Sequence, residues 1–236
     1  MDHLLSLLSF GSDGWGDEIL AGAWLTVRLA LATVPFGLVL GFLIALAKRS
    51  PNRLVSGFGT VYTTVFRGLP ELLTLFIVYY GVQMLLQDAA DFLLPGVRIE
   101  ISAFLAGMFA LGLVFAAFSS EVFAGAFRGI GGGQWEAAAA LGLSRRSTLI
   151  LVIIPQLARL SAPGIGNLWM SLLKDTSLVS VIALNDLLRE TQIAVGATKE
   201  PLFFFAVACG IYLILSIIST FGLMRIEAWA DKPMKR

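Results

Sequence analysis

Glu121, Lys174 and Asp175 stand inside long apolar stretches, and Asn167, Thr176 and Ser177 lie close to the last two along the chain. An ionised group in such surroundings is costly unless it is paired or reaches water, so residues of this kind mark a route for ions or polar solutes, and Glu121 has as its alternative a pairing with Arg67 or Arg128 near the interface. Neighbours on a helix point about 100° apart, so Lys174 and Asp175 do not satisfy each other and at least one is expected to face a path. Asn167 and Asp175 are eight residues apart, a little over two helical turns, which puts them near one face. On this reading Asp175 and Glu121 are the acidic residues well inside the apolar segments. A carboxylate with neutral hydroxyl and amide neighbours can hold a cation, and chemistry on that solute is not expected.

Other chemistries lack their residues. Cys209 is the only cysteine and His3 the only histidine, which disfavours a disulfide framework, a Cys/His metal site, a haem site and a Ser-His or Cys-His nucleophile. An intramembrane protease is remote for the same reason. No lysine follows a glycine, so there is no Gly-Lys-Ser/Thr loop to hold nucleotide phosphates. A net charge of +1 offers no basic face to nucleic acid.

The elements that carry these residues belong to an all-α integral membrane protein. Of the 236 residues 57% are hydrophobic and 14% charged, with a mean hydropathy of +0.84, too few charges to cover a soluble exterior. Charge-free windows at 29–47, 72–87, 101–120 and 201–224 suit the roughly 20 apolar residues that a bilayer core requires. A fifth, 160–184, is broken by Lys174 and Asp175, as expected where a span lines a cavity. The expected layout is one domain over 1–236, with spans at 19–47, 70–87, 101–127, 160–184 and 201–225. Residues 54–66 read as a helix leading into the second span. No basic n-region precedes the first apolar run, so the first span is its own insertion signal. Twelve Lys and Arg fall on one side, including Lys48, Arg49, Arg53, Arg67 and Lys232, and three on the other, Arg98, Arg189 and Lys199. That bias puts the N-terminus outside and the C-terminus in the cytoplasm. Arg28 is expected to snorkel to the headgroups. Gly107, Gly112, Gly164 and Gly166 are expected at close helix contacts, and Trp15, Trp24 and Trp229 near the interfaces. An odd span count argues against a self-contained inverted-repeat transporter.

The long cytoplasmic loop, 129–155, holds most of the remaining signal. Gly131, Gly132 and Gly133 are expected to break span three. Residues 134–141 read as a short helix stopped by Gly142. Ser144 is the expected cap of a second helix, which shows Arg145 and Arg146 and ends at Pro155. Alanines allow another surface to approach closely, while Glu136 and the arginines supply directional contacts, so the loop reads as a docking element. The alternative, an amphipathic helix lying on lipid headgroups, is poorly served by an alanine-rich face.

Gly133, Glu136-Ala137-Ala138, Gly142, Arg145 and Ile153-Ile154-Pro155 resemble the EAA coupling loop of bacterial ABC importer permeases. The resemblance extends over nearly the whole chain through Arg67-Gly68-Leu69-Pro70, residues 121–134 and Lys174-Asp175-Thr176-Ser177-Leu178. It is closest to the polar amino acid branch, and within it to the Q-type permeases of histidine, lysine/arginine/ornithine and opine importers. Ala124 stands where that branch carries arginine, and Gly131 where it often carries proline. The resemblance implies a multi-pass permease of the bacterial inner membrane that transports polar amino acids, cationic ones above all, or opines by alternating access. It implies no cofactor in this chain; ATP and magnesium belong to a partner ATPase dimer. Further implied partners are an M-type permease or a second copy of the chain, and a periplasmic substrate-binding protein. A passive channel or gating subunit, or an ABC permease for another small solute, are the alternatives.

Overall fold

The structure, a computed structural model, describes residues 4, 6–11, 14–93, 97–98 and 100–230, with the side chains of the last two left out. His3, Asp13, Lys232, Lys235, Arg236 and the Trp229 side chain lie outside the described residues. The described residues form helices and no strand. These are α1 Gly16–Lys48, α2 Arg53–Gly68, α3 Glu71–Leu93, α4 Ala103–Gly129, α5 Gly132–Ala140, α6 Arg145–Ile182, α7 Leu187–Thr198 and α8 Pro201–Ala230. Five of them, α1, α3, α4, α6 and α8, are long and apolar enough to cross a membrane.

Helices in lipid gain no hydrophobic driving force from one another and associate through close packing, which small residues permit. Gly37 and Gly41 on α1, four residues apart, form such a surface against α4. A Cβ on Gly37 would lie 2.6 Å from Phe115 Cδ1, and one on Gly41 would lie 2.8 Å from the Ala116 carbonyl oxygen. Ser119 Oγ donates to the Gly37 carbonyl at 3.3 Å. The four glycines picked out by sequence also stand at contacts: Gly107 against Val179, Gly112 against Phe36, Gly164 against Val122 and Gly166 against Leu223.

The buried core forms three groups along the bundle. Leu29, Leu75, Leu111, Phe115, Leu173 and Val179 occupy its middle. Ile19, Leu187, Ala194 and Phe204 close the end where α1 begins. Ala45, Phe127, Ile153 and Leu157 close the end where α1 finishes.

Several elements depart from the sequence reading. Only Gly131 lies in the break after α4: Ile130 and Gly131 are extended, and Gly132 and Gly133 already form the first turn of α5. Pro155 ends nothing. The chain runs as one rod from Arg145 to Ile182, through a π-helical turn at Leu149–Ile153 and an α-helix over Ile154–Asp175. Proline is tolerated there because it occupies the first turn of that α-helical stretch, where its missing N–H costs little. The helix that carries the expected fourth span therefore begins at Arg145, ahead of that span. The break expected at Lys174-Asp175 appears as a change of helix type, from α to 3₁₀, at Thr176. The sequence reading had no counterpart of α7. Asp186 caps it by accepting the Arg189 amide at 3.0 Å, and the Leu187 amide donates to Thr26 Oγ1 on α1 at 3.2 Å.

Candidate functional site: a carboxylate cavity and an exposed helical hairpin

α2 and α3 are two pieces of one passage through the bundle. Leu69 and Pro70 between them are extended, since the proline disfavours a helical conformation at the residue before it. Tyr62 Oη donates to the Leu113 carbonyl at 2.8 Å, holding α2 against α4 near the middle of α4. The restart places Glu71 at the level of Leu111 to Phe118. There a cavity of about 120 Å³ is bounded by Glu71, by Leu111, Val114, Phe115 and Phe118 of α4, and by Leu168, Ser171, Leu172 and Asp175 of α6. Glu71 and Asp175 interact with each other through their side chains across this space. Like charges so close disfavour double ionisation, and an added cation relieves the repulsion.

Sequence reasoning does not single out Glu71, which falls within the expected second span, 70–87; Asp175 and Glu121 are therefore not the only carboxylates within the bundle. The available signal was the Pro70 break, which makes residue 71 the start of a helix in mid-bundle rather than the start of a span. The residues expected to accompany Asp175 are dispersed. Leu168, Ser171 and Asp175 follow the cavity at three- and four-residue steps, whereas Asn167, one position away, is exposed, as is Lys174. Thr176 is buried with its hydroxyl bonded to the Leu173 carbonyl at 2.8 Å, and Ser177 is half-buried. Neither Thr176 nor Ser177 lines the cavity.

Glu121 belongs to a separate cluster. Lys48 at the end of α1 donates to it, and Arg67 NH1 lies 3.6 Å from the same oxygen. Both cations come from other helices, so Ala124 leaves Glu121 paired all the same. Arg28 is exposed, its guanidinium 5.9 Å from the Phe104 ring centre.

α5 and the start of α6 make a hairpin beyond the Ala45–Phe127 end of the bundle. α5 closes with the Gly142 amide on the Ala139 carbonyl at 2.9 Å and the Leu143 amide on the Ala138 carbonyl at 3.0 Å. Gly142 has φ +75°, the left-handed value this paired closure requires. Ser144 Oγ accepts the Ser147 amide at 3.2 Å and caps the following turn. Ala138 is buried and Trp135 half-buried against the core, whereas Gly133, Glu136, Ala137, Arg145 and Pro155 are exposed. Glu136 and Arg145 share with Arg49 and Trp135 the wall of an open groove of about 670 Å³. Leu141, just before the turn, is 81% exposed. The sequence reading had placed it within the docking helix without singling it out.

Residues 37–227 match the family described as the binding-protein-dependent transport system inner membrane component. The chain is 40% identical to the nopaline transport system permease protein NocQ of Agrobacterium fabrum, over 98% of both chains. It is 36% identical to the arginine ABC transporter permease protein ArtQ of Escherichia coli, over 92% of this chain and 96% of the relative. Its fold is similar to a solved amino acid ABC transporter with histidines, with a TM-score of 0.77 and 28% identity over 91% of this chain and 94% of the other. A structure of the MetNI methionine ABC transporter at 16% identity shares the fold, with a TM-score of 0.74 over 91% of this chain and 97% of that one.

Proposed function

Because the chain belongs to the binding-protein-dependent transport system inner membrane components and is a permease subunit of an ATP-binding-cassette importer, we propose that it carries a cationic amino acid or an opine. The observation that carries this reading is the Glu71–Asp175 pair, two carboxylates on one mid-bundle cavity. A solute that brings positive charge relieves their repulsion, and one that brings none leaves it in place. The relatives' names agree in chemistry, since they include nopaline, octopine, arginine, histidine, lysine and ornithine.

ATP is hydrolysed by a separate subunit. On this reading an ATPase dimer, with its ATP and magnesium, receives the α5 hairpin. The exposed Leu141 supplies an apolar anchor and Glu136 and Arg145 the flanking charges. The hairpin end is cytoplasmic and the beginning of α1 periplasmic on this reading, which the distribution of Lys and Arg supports. An M-type permease or a second copy completes the path, and a periplasmic binding protein delivers the solute. Rigid-body movement of the hairpin by the closing ATPase is transmitted along α6, which joins the hairpin to Asp175 without a loop.

The test is uptake by the complete transporter in liposomes, with L-arginine, L-lysine and L-glutamine offered in turn. Glu71→Gln and Asp175→Asn are expected to reduce uptake of the cationic solutes far more than that of glutamine, a buried charged contact being worth about 2 to 5 kcal/mol. Equal losses for all three would make the pair structural. Uptake that persists without ATP would favour a passive channel.

A further inference from the structure

The charges around Glu121 do not balance. Lys48 Nζ is hydrogen-bonded to Glu121 Oε1 and lies 3.5 Å from Thr63 Oγ1. Arg67 NH1, at 3.6 Å from the same carboxylate oxygen, is too distant for a charge-assisted hydrogen bond. Lys48 thus takes the larger share of Glu121, and the group of Lys48, Arg67 and Glu121 keeps one positive charge, that of Arg67. A surplus positive charge on an exposed side chain attracts an anion.

The place for that anion adjoins the cavity. The Arg67 guanidinium stands 5.5 Å from the centre of the Phe118 ring, and Phe118 is a wall of the space that holds Glu71 and Asp175. Between Arg67 and Glu71 the backbone is extended, and α3 begins afresh at Glu71. The Leu73 and Thr74 amides donate to the Pro70 carbonyl at 3.0 and 3.1 Å, which leaves the Glu71 and Leu72 amides without an acceptor in the helix, and the positive end of its dipole faces the break. A helix broken inside a membrane bundle presents those groups to the anionic part of a solute. One turn further, the Thr74 hydroxyl is buried and has no hydrogen-bond partner.

We propose that Arg67 is the receptor for the carboxylate of the transported amino acid or opine, while Glu71 and Asp175 take its cationic end. The site is then bipolar and reads both ends of one solute. Arginine suits the task better than lysine because its planar fork can bind both carboxylate oxygens at once. Arg67 can turn to such a carboxylate because it holds Glu121 only loosely, at 3.6 Å, and its side chain is 46% exposed. The assignment rests on the reading of the cavity given above.

The experiment titrates the purified permease–ATPase complex, without binding protein, with L-arginine and with agmatine, which is arginine without its carboxylate. The parent complex is expected to bind arginine more tightly. In Arg67→Gln the affinity for arginine falls about tenfold or more and that for agmatine changes less than about twofold, so the preference collapses. Arg67→Lys, which keeps the charge and loses the fork, shows a smaller loss for arginine alone, and it serves for comparison if the glutamine variant does not assemble. Glu121→Gln separates this role from a structural one: it removes the ion pair but keeps or increases the preference for arginine. A parent complex that binds both ligands equally, or an Arg67→Gln complex weakened equally for both, overturns the assignment of Arg67 and leaves the cavity reading intact. Loss of preference in Glu121→Gln also overturns it. A parent complex that binds neither ligand overturns the cavity reading and the role of Arg67 with it.

Discussion

Gly37 of α1 faces Phe115 of α4 so closely that a Cβ would stand 2.6 Å from ring atom Cδ1. Phe115 turns another part of its surface to the carboxylate cavity, so this contact couples helix packing to the shape of the site. Gly37→Val is expected to destabilise the subunit by about 1 to 3 kcal/mol through overpacking. Phe115→Leu in the same chain should restore part of the loss. Thermal unfolding of the detergent-purified complex measures both, and an unchanged midpoint for the valine variant would mean that the helices do not meet this closely.

The hairpin prediction concerns assembly. Gly142→Asp forces a side chain onto a left-handed backbone, Glu136→Lys reverses a charge on the exposed face, and Leu141→Asp replaces the exposed apolar group. Each variant is expected to reach the membrane in normal amount and to lose ATPase on co-purification. If all three retain the ATPase and transport at the parental rate, the hairpin is not the docking element.

The orientation can be tested by labelling single cysteines introduced at Asp91 and Arg53 in a Cys209→Ser background. An impermeant thiol reagent applied to spheroplasts should modify position 91, in the last turn of α3, and spare position 53, at the start of α2. The opposite pattern would invert the topology.

The pH prediction rests on Asp186, which lies between the membrane-spanning segments. Burial pushes its pKa up to about 6, opposed by the backbone amides it accepts; Glu190 is raised too, first by burial and then by the Glu18 carboxylate. The folded state therefore holds a proton that the unfolded chain releases near its ordinary pKa of 3.8. The contribution of Asp186 to stability is full below about pH 4 and is lost as pH rises through about 6. Asp186→Asn keeps the cap and removes the titration. Between about pH 4 and 7.5 the variant should gain on the parent by on the order of 2 kcal/mol in thermal unfolding experiments. Parallel pH profiles would sink this reading.

The membrane class, the five apolar segments and the hairpin were legible in the sequence because each depends on local composition. A charge-free window, a glycine after an alanine-rich helix and a serine before the next turn act within a few residues of chain. Even there the errors were local. Tandem glycines suggested a break over Gly131, Gly132 and Gly133 where only Ile130 and Gly131 leave the helix, and Pro155 suggested a stop where the first turn of a helix accepted it.

The site itself was decided by tertiary structure. Glu71 and Asp175 are more than a hundred residues apart, and only the Pro70 break together with the packing of α3 and α6 on α4 brings them to one cavity. The pairing of Glu121 likewise comes from α1 and α2 rather than from its own helix. A polar side chain in lipid is costly wherever it stands, so the sequence alone determined that these charges must be accommodated. Which groups accommodate them depends on helix register and rotation, and interhelical packing sets both.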